Sequence, residues 1–239
     1  MLASTSHQAS AVARLADLSL PGRVHIGLTT PEPVRRVPGG IAAVDALLGG
    51  GVPRGRISEV LGPPSCGKTA LILSLLATAT RRGEVVACVD LADALHPASV
   101  AGAGADLQRV LWVRPPSAVD GMRCTELLLQ AGGFAVVVLD FGMALRRPLR
   151  RHVWPRLLHA AEQSHTALVV LAPHRLAGSF AVLSLGVRPR RAVWQSGLWP
   201  LFDGFVATVR VERNKLGVSE AKSVKLNVKS QNLAFSFRL

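Results

Sequence analysis

Eight consecutive residues, Gly62, Pro63, Pro64, Ser65, Cys66, Gly67, Lys68 and Thr69, fit the spacing GxxxxGK[ST] without deviation. In a loop of this kind the glycines let backbone N–H groups converge on phosphate oxygens. The lysine reaches the β- and γ-phosphates, and the hydroxyl residue ligates Mg²⁺. The spacing therefore predicts a cradle for ATP and Mg²⁺, with Thr69 as a metal ligand. A carboxylate is also expected at the tip of a buried strand, holding the metal through water. Asp140, which ends the run FAVVVLD, fits that position. Taken alone, Asp140 also suits an ordinary turn at a strand end.

Such a cradle works only if a strand leads into it and a helix leaves it, because the helix N-terminus completes the anion site. ISEVL precedes the loop, and the helix-period run TALILSLLATA follows it. From Ile57 onward, short apolar runs alternate with helix-period stretches, the pattern of βαβ units and a parallel sheet. Strands are predicted at Ile57–Leu61, Val85–Asp90, Val110–Val113, Phe134–Asp140 and Thr166–Ala172. The connecting helices are predicted at Lys68–Thr80, near Ala98–Ala103, and at Val119–Ala131 and Leu149–Ser164. Runs such as AVVVL suit strands buried on both faces, whereas Gly204–Glu212 and Ser223–Lys229 alternate apolar and polar residues, as exposed antiparallel strands do. Residues 1–38 read as an N-terminal arm and linker, with a short helix near Ser10–Leu18, a β-like piece at Arg23–Leu28 and a Pro-rich connector from Pro31 to Pro38. Residues 39–239 read as the core, opening with a helical stretch at Ile41–Leu48.

Composition narrows the class. At 239 residues and 49% hydrophobic content, the chain can bury one core. Every apolar stretch is broken by a charge, Gly or Pro before the ~18 residues of a spanning helix, so no membrane span is expected. The start MLASTSHQAS lacks the basic and apolar regions of a secretory signal, and a cytoplasmic address is expected. Cys66, Cys88 and Cys124 lie far apart without metal-ligand spacing, which argues against a zinc site or a disulfide framework. The net charge of +13 is unevenly spread. Residues 1–140 carry 12 Lys/Arg against 11 Asp/Glu, and residues 141–239 carry 16 against 4. A basic excess confined to one end fits a polyanion partner.

The stretch GGIAAVDALLGGGVPRGRISEVLGPPSCGKTAL, then RRGEVVACVDLADALHP and ADLQRVLWVRP, closely resembles the ATP-binding core of the RecA recombinase family. The likeness continues through AVVVLD and TALVVLAPHRLAG and, more loosely, through FDGFVATVRVERNKLG. It implies an α/β fold with a RecA-like P-loop core: a mostly parallel central sheet flanked by helices, with antiparallel strands at the C-terminal end. It also implies single-stranded DNA as a partner, a nucleoid-associated location and self-association through the N-terminal arm.

Departures from the family pattern bear on activity. Ala92 stands where the resemblance implies a catalytic Glu that activates water. Asp90 and Asp93 lie nearby as substitutes, but a shorter side chain from a neighbouring position must reach the same water. Ser99 stands where the family carries an adenine-stacking Tyr. The γ-phosphate-sensing Gln is matched by Pro173 or His174. His174 suits either a phosphate donor or a plain turn residue.

Two segments follow in the order of the family's DNA-facing loops. The first carries Arg146, Arg147, Arg150 and Arg151, and the second, roughly Gly178 to Phe202, holds Arg188, Arg190 and Arg191 beside Trp194 and Trp199. The cations suit phosphates. The tryptophans suit either base stacking or packing of an apolar loop. These features together resemble the ImuA type of translesion-synthesis accessory protein, which implies RecA and a Y-family polymerase-like protein (ImuB) as partners, a role in the SOS response and weak or absent ATP hydrolysis. The alternative is an active DNA-dependent ATPase forming filaments on single-stranded DNA. A small-molecule kinase would need a lid and a positioned acceptor base, and the sequence offers neither.

Overall fold

The computed structural model describes residues 34–142, 152–195, 201–217 and 223–229. In chain order the strands are β1 (Arg36–Val37), β2 (Val52–Pro53), β3 (Ile57–Leu61), β4 (Val85–Asp90), β5 (Val110–Val113), β6 (Phe134–Asp140), β7 (Ala167–Ala172), β8 (Ala181–Trp194), β9 (Phe202–Asn214) and β10 (Ser223–Lys229). The helices are α1 (Ala42–Leu47), α2 (Lys68–Arg81), α3 (Pro97–Gly102), α4 (Ala118–Ala131) and α5 (Val153–Ser164). β1 and β2 form a two-stranded antiparallel pair. The other eight strands make one sheet in the order β10-β9-β8-β3-β7-β6-β4-β5.

The side chains explain the layering. The core strands β3, β4, β6 and β7 are almost wholly buried and rich in Val, Leu and Ile, so both of their faces must be covered. On one face, Leu71, Ile72, Leu75 and Leu76 of α2, with Val44 and Leu47 of α1, pack against Val60, Val136, Val138 and Val169. On the other, Met122 and Leu129 of α4 and Trp154 and Leu157 of α5 pack against Ile57, Val89, Val137 and Leu168. β3 lies parallel to β7 and to β8, β6 parallel to β4 and β7, and β4 parallel to β5. β9 then runs antiparallel to both β8 and β10. This is an α/β fold with a mostly parallel central sheet flanked by helices and antiparallel strands at its C-terminal end.

Helix boundaries follow local chemistry. Ser117 caps α4: its hydroxyl accepts from the Asp120 N–H at 3.2 Å and donates to the Asp120 carboxylate at 2.6 Å. α5 ends at His165, which takes the left-handed conformation at φ +53.

Two regions differ from the sequence reading. Arg36–Val37, inside the segment read as linker, pairs with Val52–Pro53. Residues 181–194, read as part of a DNA-facing loop, form the long strand β8, and the true β7–β8 connection runs only from Pro173 to Phe180. Pro189 hides the strand in the sequence. It cannot donate to the ladder, and the structure accommodates it with a register shift between Pro189 and Arg191. Residues 1–33, with the arm's expected helix and strand, lie outside the described residues.

Candidate functional site: a phosphate cradle beside a basic hairpin

The cradle occupies the turn between β3 and α2, at the end of the sheet where β3, β7 and β8 lie side by side. Gly62 leaves β3 with its N–H donated to the Ala172 carbonyl at 3.2 Å. At φ +156 it passes so close to β8 that a Cβ there would overlap the Val187 carbonyl oxygen and lie 2.8 Å from Cys66 Sγ. Gly67, at φ +103, begins α2, and a Cβ at that position would lie 3.0 Å from the Phe205 ring of β9. Ser65 also takes a left-handed conformation, at φ +55. Backbone alone fits these two glycine positions, as a loop that wraps phosphates with its amides requires. Pro63, Pro64, Ser65 and Thr69 are exposed at the loop surface, while Cys66 is buried beneath it. Lys68 folds back over the loop and donates to the carbonyls of Gly62 and of Pro63, the latter at 3.0 Å.

Asp140 ends β6 in register with Asp90 of β4, two strands from the loop. Its carboxylate accepts the Gly142 N–H at 2.8 Å. Burial pushes the Asp140 carboxyl above its ordinary range and the Asp90 charge adds to this, while the Gly142 amide and the Lys68 ammonium oppose it. Burial, with the two aspartate charges, also pushes the neighbouring Cys88 thiol far up, leaving it inert. A divalent cation near Asp140 would relieve this crowding of negative charge, so the donor set fits one. Among the described residues no group of three His, Cys, Asp or Glu could hold a metal unaided. Mg²⁺ bound through one carboxylate, the Thr69 hydroxyl, water and phosphate oxygens has no need of such a group.

Asp90 and Asp93, expected as stand-ins for the glutamate that the resemblance implies, are both already engaged. Asp90 is 2% exposed, and its carboxylate accepts the N–H groups of Ala92, Ala94 and Leu95 and the Trp112 Nε1–H. It organises the 91–95 loop. Asp93 points outward and ion-pairs with Arg114 at 3.5 Å. Ala92 is exposed, and its methyl lies 2.5 Å from where a Cβ on Gly142 would be. A longer side chain at Ala92 would thus start beside the end of β6. Ser99 is buried with its hydroxyl 3.1 Å from His96 Nδ1, so the side chain at this position is turned into the protein. His174 is exposed on the β7–β8 connection.

The sequence reading missed Glu59. Fully buried on β3, it accepts the N–H groups of Leu176 and Ala177, each at 2.8 Å, and the Ser184 hydroxyl at 3.0 Å. One carboxylate thereby fastens the β7–β8 connection and β8 to the strand that carries the cradle. The available signal was a lone charge inside ISEVL, a run otherwise suited to burial.

Arg188, Arg190 and Arg191 are exposed on β8 immediately beyond Val187, and Arg190 Nε donates to Thr208 Oγ1 at 3.0 Å. Trp194, 58% exposed, meets Phe202 edge to face with ring centroids 5.5 Å apart. Arg146, Arg147, Arg150, Arg151 and Trp199 lie outside the described residues. No helix among the described residues is long and apolar enough to cross a membrane.

A Gly-rich loop between a buried parallel strand and a helix, with an aspartate ending a nearby strand, defines the class of P-loop α/β proteins. The sequence profile of the RecA N-terminal domain matches residues 22–149, and the chain belongs to that family. It is 37% identical over 123 residues to protein RecA of Streptomyces coelicolor, covering 51% of this chain and 33% of that one. To protein RecA of Thermus thermophilus it is 39% identical over 123 residues, covering 51% and 36%. To that of Symbiobacterium thermophilum it is 41% identical over 113 residues, covering 47% and 32%. The match thus spans about a third of the length of these relatives.

Proposed function

We propose that this chain is a RecA-like, ATP-binding accessory protein of DNA repair and damage tolerance, of the ImuA type, that binds single-stranded DNA and turns ATP over weakly or not at all. The observation that carries the reading is the pairing of an intact phosphate cradle at Gly62–Thr69 with a methyl group at Ala92, where the family resemblance implies a general base. Loop amides, Lys68 and Thr69 would hold the triphosphate and its Mg²⁺, with Asp140 bonded to the metal's water. The ion would supply neutralisation of phosphate charge. The chain's own residues grip and orient. Lys68 would exchange the carbonyls of Gly62 and Pro63 for phosphate oxygens, and Gly62 and Gly67 keep the loop free of side chains that would block the approach. Asp90 already spends its carboxylate on three amides and an indole, which leaves little capacity to orient water.

The exposed β8 arginines beside Trp194 support single-stranded DNA as partner, because cations hold phosphates and an accessible ring stacks bases. RecA and an ImuB-type polymerase-like protein are the proposed protein partners, and the N-terminal arm is the proposed site of self-association. ATP binding and ATP turnover, each measured with and without single-stranded DNA, test the reading, alongside pull-down with RecA and the polymerase-like protein. Tight ATP binding with negligible turnover is expected. Vigorous DNA-stimulated turnover would instead establish the filament-forming ATPase, and absence of ATP binding would remove both.

A further inference from the structure

An aromatic ring stands against the cradle that no phosphate contact uses. A Cβ on Gly67 would lie 3.0 Å from Phe205 Cε2, 3.3 Å from Phe205 Cζ and 3.7 Å from Ala207 Cβ. The ring therefore touches the backbone where the loop turns into α2. It packs against the core cluster on its inner side, yet it is only partly buried.

The β8–β9 register shows what surrounds the ring. Pro189 is opposed to Ala207 and Ala192 to Phe205, and directly opposed residues point to the same face. Val187, Ala207 and Val209 on that face are buried with α1 and α2. Pro189 and Ala192 share the face but are exposed, so beyond the start of α2 the sheet continues as an open apolar shelf of Pro189, Ala192 and the Phe205 ring. Arg188 and Arg191, opposed to Thr208 and Val206, point to the other face, and Arg190 joins them there through its bond to Thr208. The shelf is thus uncharged. Neighbouring strands lie about 4.8 Å apart and alternate residues about 7 Å apart, so the three side chains cover roughly the footprint of one planar base.

We infer that the Phe205 ring, flanked by Pro189 and Ala192, is the platform on which the base of a bound nucleotide stacks, and that the site takes purine nucleoside triphosphates as a class without separating adenine from guanine. The inference rests on the proposed ATP binding and adds the base contact to it. A nucleotide whose phosphates fill the loop carries its base on a short tether, and the ring touches Gly67 of that same loop. An open aromatic face is covered well by another planar π-system. Stacking accepts every base because each has a π-face, and a purine covers more of the shelf than a pyrimidine. Strong discrimination between two bases needs polar groups that one of them leaves unpaired, and the side chains of Pro189, Ala192 and Phe205 carry no hydrogen-bonding atom. A ring that only propped the loop would have no need of open neighbours on its own face.

The experiment measures, by calorimetry on the full chain with Mg²⁺, the affinities of ATP, GTP, CTP and inorganic tripolyphosphate, which has the phosphates and no base. F205L and F205M keep an apolar side chain against Gly67 and remove the ring, and the melting temperature of each checks the fold. The parent should bind ATP and GTP with similar affinity, and both more tightly than CTP and tripolyphosphate. F205L and F205M should each weaken ATP and GTP about 5- to 150-fold, the range for one base stack on an aromatic side chain, and leave tripolyphosphate unchanged. The adenine proton resonances of bound ATP should move upfield in the parent and lose that shift in F205L. If both variants weaken tripolyphosphate as much as ATP, the ring only props the loop and the platform is overturned. Unchanged ATP affinity in both variants, or a parent that binds tripolyphosphate as tightly as ATP, overturns it too while the cradle survives. A parent that rejects GTP overturns the purine class. Failure of both ATP and tripolyphosphate to bind the parent removes the proposed ATP binding itself.

Discussion

Removing the Glu59 carboxylate is expected to cost a large part of the fold's stability while leaving the cradle's own residues untouched. In Glu59→Ala the Ala177 N–H and the Ser184 hydroxyl lose their acceptor in an interior closed to water, and the half-buried Leu176 N–H loses one nearer the surface. An orphaned buried donor costs about 1–3 kcal/mol, so the two enclosed groups together cost ~2–6 kcal/mol before any cavity is counted. Domains are stable by only about 5–15 kcal/mol, so the variant should be marginal at ordinary temperature. Glu59→Gln behaves differently. Its amide oxygen can take both N–H groups, and its NH₂ can donate to a Ser184 hydroxyl turned to accept, so the loss should be ~1–2 kcal/mol. Urea unfolding followed by circular dichroism measures both, and a constant dependence on denaturant would show that native stability alone had changed. A Glu59→Ala variant within 1 kcal/mol of the parent, or a Glu59→Gln variant as damaged as Glu59→Ala, would refute the bonding scheme.

Lys68→Ala should weaken ATP binding at least about 100-fold, since two charge-assisted contacts at about 1.5–3 kcal/mol each are lost; equilibrium binding by calorimetry or a fluorescent analogue reads this directly. Ala92→Glu should raise ATP turnover at least about tenfold, a fraction of the ~10²–10⁴ that a positioned base supplies. An unchanged rate with ATP still bound would mean that the missing base is not what limits turnover. Gly62→Ala should lower stability by ~1–3 kcal/mol and weaken ATP binding together, because its methyl would push the loop away from the Val187 carbonyl; a melting temperature equal to the parent's would contradict that contact.

The central sheet was legible because its residues leave little choice. VVACVD, FAVVVLD and ALVVLA can be satisfied only by burial on both faces, and the strands fall where those runs lie, to within a residue. The cradle was equally plain, since loop, strand and helix are contiguous in sequence. What escaped was long-range. Glu59 reads as an oddity in an apolar strand until the amides of Leu176 and Ala177, more than a hundred positions away, close on it. β8 escaped because Pro189 and a cluster of arginines mimic a loop, and only pairing with β9 shows that the register shift absorbs the proline. Asp90 as a stand-in base was reasonable from proximity alone, but three backbone amides and an indole N–H already bond to its carboxylate.

The contact of Gly62 with the Val187 carbonyl, and of Gly67 with the Phe205 ring, makes the back wall of the cradle out of the hairpin itself. The loop has no slack on that side. Any widening to admit a larger headgroup must lever β8 outward, and any ligand that draws the hairpin aside must loosen the loop. An occupant of the loop and one on the neighbouring strand β8 would thus feel each other through one shared partition; a substitution that enlarges the loop at Gly67 should be tolerated only with a compensating trim at Phe205, whereas at Gly62 the obstacle is the Val187 backbone and no side-chain trim removes it.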